Sequence, residues 1–460
     1  MTGRSLNQST TGVLAILAGL ILVLGFIAAN LPYWAEFFGR QITQNQMSSD
    51  YFFGLVWACI LGVTILFWPV SRPDRRVLLL LWLAKCFVAL GVMLLYEGQY
   101  GKYLDSISYY IQSGQTENIK WSEFLGSGGT QFIVRLCAAQ NYLLPYSYHA
   151  LKVTFALVGL LGIYLFYRAA VRFLGHEDWR VLFALGFLPS ILFWSSILGK
   201  DPVVLFALGL YAYGIIAWYR TRRWSFVLLF IIGLALATLV RMWLVPIFTA
   251  PLVVFAMHGQ RGRPRKIMMF VLVMAGFWFG VRRTTEHFRV ETTRDLVGQT
   301  HNLSRRWARG GSAETLPEIN SLDDMIKLAP TVVFTALFRP LPGEVPHSFG
   351  WLAGTEDLGM LLLLALALLR IGECWGDLKE PVVLWAIFLI LAWASVYGFV
   401  SFQNLGTAVR YRLQIMPFLW GLLLYLNRRR PAVPARVRGQ KEKVYAQRSA
   451  IPQSSSPSAS

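Results

Sequence analysis

The stretch VLLLLWLAKCFVALGVMLL, residues 77–95, decides the class of fold. Its 19 residues carry a single charge, on Lys85, and a helix of this length rises about 28 Å. That rise matches the hydrocarbon core of a bilayer, which is about 30 Å thick. The stretch lacks the period-two alternation of a barrel strand, so we interpret it as a membrane-spanning helix.

Similar apolar runs recur along the whole chain. Hydrophobic residues make up 55% of the 460 positions and charged residues 15%, whereas soluble domains average about 25% charged residues. We therefore predict an all-α, polytopic transmembrane helical bundle of about twelve spans, since each run has the length of one crossing. The predicted spans are residues 11–31, 51–71, 77–96, 147–167, 181–198, 203–219, 224–240, 242–257, 267–281, 354–370, 381–400 and 409–427.

The net charge of +19 follows the positive-inside rule rather than the pattern of a nucleic-acid-binding surface. Basic residues fill alternate short loops and the tail after the last span. One threading satisfies this bias: both termini are cytoplasmic, and two long loops, residues 97–148 and 282–353, lie outside. We therefore predict a multi-pass protein surrounded by membrane lipids, with no nucleic-acid partner.

The same pattern divides the chain into three parts. We expect residues 1–76 to hold two N-terminal transmembrane helices, residues 77–427 to form the transmembrane core with its two outer loops, and residues 428–460 to form a basic, disordered cytoplasmic tail. The four cysteines lack CxxC spacing and the six histidines do not cluster, so no disulfide framework or metal site is predicted. No phosphate-binding loop, GxSxG or HExxH motif is present, which argues against a P-loop motor.

Polar residues at the outer ends of the predicted helices are the candidates for chemistry. Asp105, near Tyr109 in an aromatic stretch, is either a general base at the membrane interface or a surface carboxylate. At the tight turn before residue 203, we expect Pro202 to begin the next helix and Asp201 to cap it. Five cations form either a phosphate cradle or a set of headgroup anchors: Lys200, Arg241, Arg339, Arg410 and Arg412.

Lys85 is a separate candidate, because an intramembrane lysine is costly and is often functional. The alternative is a structural ion pair or a neutral buried amine. We also expect a short amphipathic helix around residues 103–110 and a helix start at residues 321–324.

The order of these features resembles the GT-C superfamily of membrane glycosyltransferases, especially its bacterial envelope-polysaccharide members. The resemblance covers roughly residues 77–426. It rests on Asp105 with Tyr109, on FLPSILFWSS at residues 187–196 followed by Lys200-Asp201, and on RYRLQIMP at residues 410–417.

The resemblance implies a protein of the bacterial inner membrane that uses a sugar on a polyprenyl phosphate or diphosphate. Asp105 would deprotonate the acceptor hydroxyl outside the cytoplasm, and attack would invert the anomeric carbon. Cations would stabilise the departing lipid phosphate. The substrate-side candidates are Lys200, Arg241, Arg339, Arg410, Arg412, Tyr109 and Lys85. No cofactor is predicted; a divalent metal is left open, but nothing in the sequence indicates one.

Several alternatives stay open at this stage. The cluster RRWAR at residues 305–309 suits a Wzy-type repeat-unit polymerase, which transfers lipid-linked oligosaccharides in exopolysaccharide, capsule or O-antigen-type biosynthesis. Lys85 and Arg241 suit a transporter or a flippase for lipid-linked oligosaccharides. A third reading is a non-catalytic partner of other polysaccharide-assembly proteins.

Overall fold

The described part of the chain is helical almost throughout. Its one β-type pairing is an isolated antiparallel bridge between Ala313 and Asn404, so the prediction of an all-α fold is confirmed. The first predicted span and the predicted basic tail lie almost wholly outside the described residues. The computed structural model describes residues 29–30, 33, 47–100, 104–115, 128–258, 263–308, 312–314, 319–346 and 348–428.

The helices are named here in chain order. They are α1 Met47–Leu66, α2 Arg72–Gly98, α3 Asp105–Gly114, α4 Thr130–Leu143, α5 Tyr148–Leu174, α6 Trp179–Gly186, α7 Pro189–Trp194, α8 Lys200–Thr221, α9 Ser225–Val240, α10 Leu244–Thr249, α11 Val253–His258, α12 Arg263–Phe288, α13 Thr293–Trp307, α14 Leu322–Phe338, α15 Ser348–Leu369, α16 Ile371–Leu378, α17 Pro381–Ser401, α18 Leu405–Arg412 and α19 Met416–Leu426.

Within the described ranges, seven helices are long and apolar enough to cross a membrane: α1, α2, α5, α8, α12, α15 and α17. Each of them overlaps a predicted span. The expected helix start at residues 321–324 is also confirmed, because the Ser321 side chain caps α14 by accepting a hydrogen bond from the amide of Asp324. The short outer helix expected near residue 105 is α3.

Four other predicted spans are short or interrupted, so the described residues do not reproduce a count of twelve. Residues 181–198 are two short helices, because Pro189 cannot continue α6 and instead starts α7. Residues 242–257 break at a 3₁₀ turn that contains Pro251, and residues 409–427 break before Pro417. The helix α9 is apolar but only 16 residues long.

The helices α5 and α8 form the centre of the bundle, and small residues allow them to approach closely. A Cβ atom on Gly162 would lie only 2.8 Å from the backbone nitrogen of Phe206. A Cβ atom on Gly209 would lie 2.8 Å from the carbonyl oxygen of Gly162. Any larger side chain at this crossing would therefore push the two backbones apart.

The helices α5 and α8 run in the same direction, which defines two ends of the bundle. At the end that we call the α3 end, Tyr148 at the start of α5 contacts Ser106 of α3. At the far end, the Arg220 side chain donates a hydrogen bond to the carbonyl oxygen of Phe173. Lys200 and Arg220 are 20 residues apart on one helix, so these two ends are about 30 Å apart.

Candidate functional site

Five charged residues meet at the α3 end, and we call them the outer charge cluster after the orientation that the sequence predicts: Asp105, Lys200, Asp201, Arg241 and Arg410. Four elements of the fold bring them together: α3, α8, α9 and α18. Asp105 begins α3, Lys200 and Asp201 begin α8, and Arg241 directly follows α9. Arg410 lies in the last turn of α18. Four of these five residues were predicted as site residues from the sequence.

Asp201 is the centre of the cluster. Its side chain is only 2% exposed, and its two oxygens accept from two different arginines. Arg241 Nη2 donates to Oδ1 at 2.9 Å, and Arg410 Nε donates to Oδ2 at 2.7 Å. These are short, charge-assisted hydrogen bonds, so Asp201 fixes the positions of both guanidinium groups.

The expected capping role of Asp201 is wrong. The helix α8 begins at Lys200, two residues before Pro202, and Gly199 at its N-cap provides no side-chain hydrogen bond. The carboxylate of Asp201 is taken by the two arginines instead, because a buried carboxylate gains more from two cations than from one backbone amide. Asp201 was therefore missed as a site residue, although its place beside Lys200 in an outer turn was a usable signal.

Asp105 is held more loosely than Asp201 and faces solvent. Its Oδ2 atom lies 3.4 Å from both terminal nitrogens of Arg410, which is long for a charge-assisted hydrogen bond. The side chain is 58% exposed. A carboxylate that is accessible and only weakly paired can accept a proton from a bound hydroxyl group.

Arg241 supplies a buried cation with spare donor capacity. The residue is 4% exposed, and its guanidinium lies 4.5 Å from the centre of the Tyr411 ring. Its Nη1 atom has no hydrogen-bond partner among the described residues. A buried donor without an acceptor is costly, so this atom favours an anionic or polar ligand at the cluster.

Lys200 and Tyr109 complete the surroundings of Asp105. Lys200 Nζ donates to Thr130 Oγ1 at 2.9 Å. Its ammonium group also interacts electrostatically with the other four members of the cluster. Tyr109 lies one turn after Asp105 on α3 and is 2% exposed. Burial and the nearby Asp105 carboxylate raise the pKa of Tyr109, so this hydroxyl stays protonated.

Arg339 and Arg412 belong to a second cluster, which we call the proline-turn cluster. Arg412 forms a buried ion pair with Asp357 and also donates to the carbonyl oxygen of Arg339. The Arg339 side chain pairs with Glu314 and Glu344 at 2.5 and 2.8 Å. These arginines have protein carboxylates as partners, so they brace the turn at residues 339–344.

Lys85 lies in the interior, apart from the outer charge cluster. Its side chain is completely buried, and Nζ donates to the carbonyl oxygen of Ser195 at 2.8 Å, to Ser195 Oγ at 2.6 Å and to Ser196 Oγ at 3.1 Å. The turn it holds follows Trp194, whose ring lies 5.4 Å from the Arg410 guanidinium. Lys85 therefore acts on the cluster indirectly, by fixing this turn.

A buried network missed by sequence reasoning lies behind α3. Lys152 Nζ forms an ion pair with Glu97 at 3.0 Å, and both side chains are buried. Tyr148 Oη lies 2.7 Å from Glu97 Oε1 and 3.0 Å from Ser106 Oγ. Because Ser106 follows Asp105 directly, this network anchors the start of α3. Glu97 ends an apolar span, which was the available signal.

Comparison of the chain with family models, curated proteins and solved structures finds no match. In the part of the chain that the structure describes, no group of three or more His, Cys, Asp or Glu side chains is arranged to hold a metal ion. The geometry of the outer charge cluster therefore carries the functional argument.

Proposed function

We propose that this chain is an inverting membrane glycosyltransferase that takes its sugar from a polyprenyl phosphate or diphosphate. The observation that carries the proposal is the contact of Asp105 with Arg410, 3.4 Å apart. This contact puts an accessible carboxylate beside a cation, and such a pair suits attack by a hydroxyl group on a sugar with an anionic leaving group.

Each member of the cluster has a defined task in this reaction. Asp105 removes the proton of the acceptor hydroxyl group as its oxygen attacks the anomeric carbon. The bond from that carbon to the lipid phosphate breaks, and the phosphate leaves as an anion. Arg410, Arg241 and Lys200 stabilise the charge that develops on it, and Asp201 keeps the two arginines in place.

The net charge of the cluster is consistent with these proposed roles. Three cations face two carboxylates, and one of those carboxylates, Asp201, is fully used by Arg241 and Arg410. The cluster therefore has a surplus positive charge and a free donor on Arg241. An anionic phosphate would balance the positive charge and accept from the free donor. By binding Arg410, it would also replace Asp105 as the partner of that arginine.

The alternating basic loops of the sequence support a membrane location and an orientation for the proposed enzyme. We place the chain in a bacterial inner membrane, with a GT-C-type fold of about twelve crossings. Because the basic loops alternate along the chain, we place both termini in the cytoplasm and the outer charge cluster on the other side. The product is an exported or envelope polysaccharide, and the transferred group is either one sugar or a whole repeat unit.

The test compares Asp105→Asn with a matched control in cells that lack the native gene. Asp105→Asn keeps the shape of the side chain but removes the base, so polymer synthesis should fall at least about 100-fold. Asp323→Asn is the control, because Asp323 is also an exposed carboxylate paired with a cation, Lys327. Normal polymer in the Asp105→Asn strain would refute the proposal.

One observation favours the second candidate, a transporter or a flippase for lipid-linked oligosaccharides. The buried Glu97–Lys152 pair lies in two membrane-spanning helices, where ionisable residues often line a transport path. The two functions leave different intermediates. Loss of a transferase leaves the lipid-linked sugar on the outer face, where an added glycosidase reaches it, and loss of a flippase leaves it on the inner face.

A further inference from the structure

We propose that the chain binds a phosphate-bearing anion, presented by an acidic lipid headgroup, in a cavity at the far end of the bundle. The cavity has a volume of about 620 Å³. We call it the basic cavity and define it by five of its lining residues: Arg168, Arg172, His176, Glu177 and Arg220.

The basic cavity is separate from the outer charge cluster. It is formed where the C-terminal turns of α5 and α8 meet, and Lys200 begins the same helix whose last turn holds Arg220. The two sites are therefore about 30 Å apart along the helix axis. Binding of an anion at the far end of the bundle therefore does not depend on the proposed glycosyltransferase activity.

The charges of the cavity are unbalanced. Three guanidinium groups face one carboxylate, that of Glu177, which pairs with Arg168 at 2.6 Å. Arg220 stacks on the Phe173 ring at 5.1 Å and donates to its carbonyl oxygen at 2.7 Å. This contact caps the end of α5, and among the described residues no carboxylate pairs with Arg220.

Arg172 differs from the other two arginines of the basic cavity. It is exposed, and it makes no hydrogen bond or ion pair to the residues that the structure describes. The C-terminal ends of α5 and α8 favour a nearby cation. Arg220 already fulfils that role at the carbonyl of Phe173, so Arg172 is not needed for it. Arg172 and Arg220 together are suited to the oxygens of a phosphate group, which a guanidinium binds in a fork geometry.

Two exposed tryptophans indicate that the anion is a lipid headgroup rather than a soluble phosphate. Trp179 and Trp224 are 44% and 57% exposed, and they follow the lining residues Glu177 and Arg220 by two and four positions in the sequence. The guanidinium of Arg180 also lies 5.9 Å from the Trp179 ring. Exposed tryptophans concentrate at the headgroup layer, and basic pockets between transmembrane helices at that depth bind acidic lipids.

The experiment measures lipid binding to the purified full-length chain in a neutral detergent. The probes are phosphatidylglycerol, phosphatidylcholine and inorganic phosphate, and the readouts are lipid adducts in native mass spectrometry and the shift in Tm. We expect phosphatidylglycerol to bind and to raise Tm more than the other two probes. Arg172→Glu should weaken its binding at least about fivefold, since one arginine near the surface accounts for that factor.

Two further variants decide whether the cavity is responsible. Arg172→Lys keeps the charge and should keep most of the binding. Arg76→Glu reverses another exposed arginine that the charge pattern places on the same side of the membrane and should leave binding unchanged. The assignment would be overturned if Arg172→Glu and Arg76→Glu weakened phosphatidylglycerol binding equally. It would also be overturned if phosphatidylcholine or inorganic phosphate bound and raised Tm as much as phosphatidylglycerol does.

Discussion

Arg410 lies between two carboxylates, and one of them, Asp105, is 305 residues away in the sequence. Its Nε atom binds Asp201 at 2.7 Å, while its two terminal nitrogens reach Asp105 at 3.4 Å. The guanidinium thus joins a buried anchor to an exposed carboxylate. One planar guanidinium therefore contacts both carboxylates. It stabilises the cluster through Asp201, and in the proposed reaction it lies beside the base, Asp105.

The first prediction concerns the shape of this group. Arg410→Lys keeps the charge, but a lysine has one nitrogen and cannot contact Asp201 and Asp105 at once. We expect polymer synthesis to fall at least about tenfold, because the leaving phosphate loses a fixed donor. The measurement is the rate of polymer formation in isolated membranes.

The control for this variant is Arg282→Lys, which changes an exposed arginine whose partner, Glu286, lies one turn away. It should leave the rate unchanged. A rate in Arg410→Lys equal to that of the unaltered chain would show that positive charge alone is sufficient.

The second prediction concerns Asp201. Asp201→Asn leaves the buried Arg241 and the largely buried Arg410 without their shared counter-charge, and breaking such a buried pair costs about 3–5 kcal/mol. Unfolding by sodium dodecyl sulfate in mixed micelles measures this loss. Asp323→Asn removes an exposed pair and should change stability by less than about 1 kcal/mol.

The third prediction tests whether the buried network behind α3 positions Asp105. Tyr148→Phe removes the hydroxyl that lies 2.7 Å from Glu97 and 3.0 Å from Ser106. We expect kcat to fall roughly tenfold with little change in KM, because misplacement of a base affects the chemical step more than binding. Tyr142→Phe, at a largely exposed tyrosine, is the control, and a rise in KM alone would contradict this role.

The sequence predicts the edges of the apolar runs better than it predicts which charges meet. The places of Asp105, Lys200, Arg241 and Arg410 near the ends of apolar runs follow from the sequence, because charged residues are rare within such runs. Their meeting does not follow, since it depends on packing between distant helices.

Arg410 and Arg412 show this limit most clearly. The sequence treats them as one pair, but they lie two residues apart on α18, so their side chains point about 200° apart around the helix axis. Arg410 therefore reaches Asp105, and Arg412 reaches Asp357 in the proline-turn cluster. The three interrupted spans were predicted as continuous, although a proline stands at each interruption and was the available signal.

The fourth prediction concerns Lys85. Lys85→Met keeps the length of the side chain but leaves the buried acceptors of Ser195 and Ser196 without their donor, which costs about 1–3 kcal/mol for each unsatisfied group. We expect lower stability together with a lower rate of polymer formation, because the turn beside Trp194 loosens. Lys327→Met, at an exposed lysine, should change neither quantity. A stable variant with normal activity would show that this turn needs no internal cation.

The fifth prediction concerns the pH dependence of the starts of α13 and α14. Hydrogen bonds from Thr292 hold the pKa of Asp295 below the ordinary aspartate value of 3.8, and hydrogen bonds from Ser321 and Asn320 do the same for Asp324. A carboxyl group with a lowered folded-state pKa stabilises the fold above its unfolded pKa and loses that effect as pH falls through the folded value. The first turns of α13 and α14 should therefore fray as pH drops below about 4, and amide hydrogen exchange at these turns reports it. Asp295→Asn should remove the pH dependence at α13 and leave that of α14 intact; an unchanged pH profile at α13 in this variant would contradict the assignment.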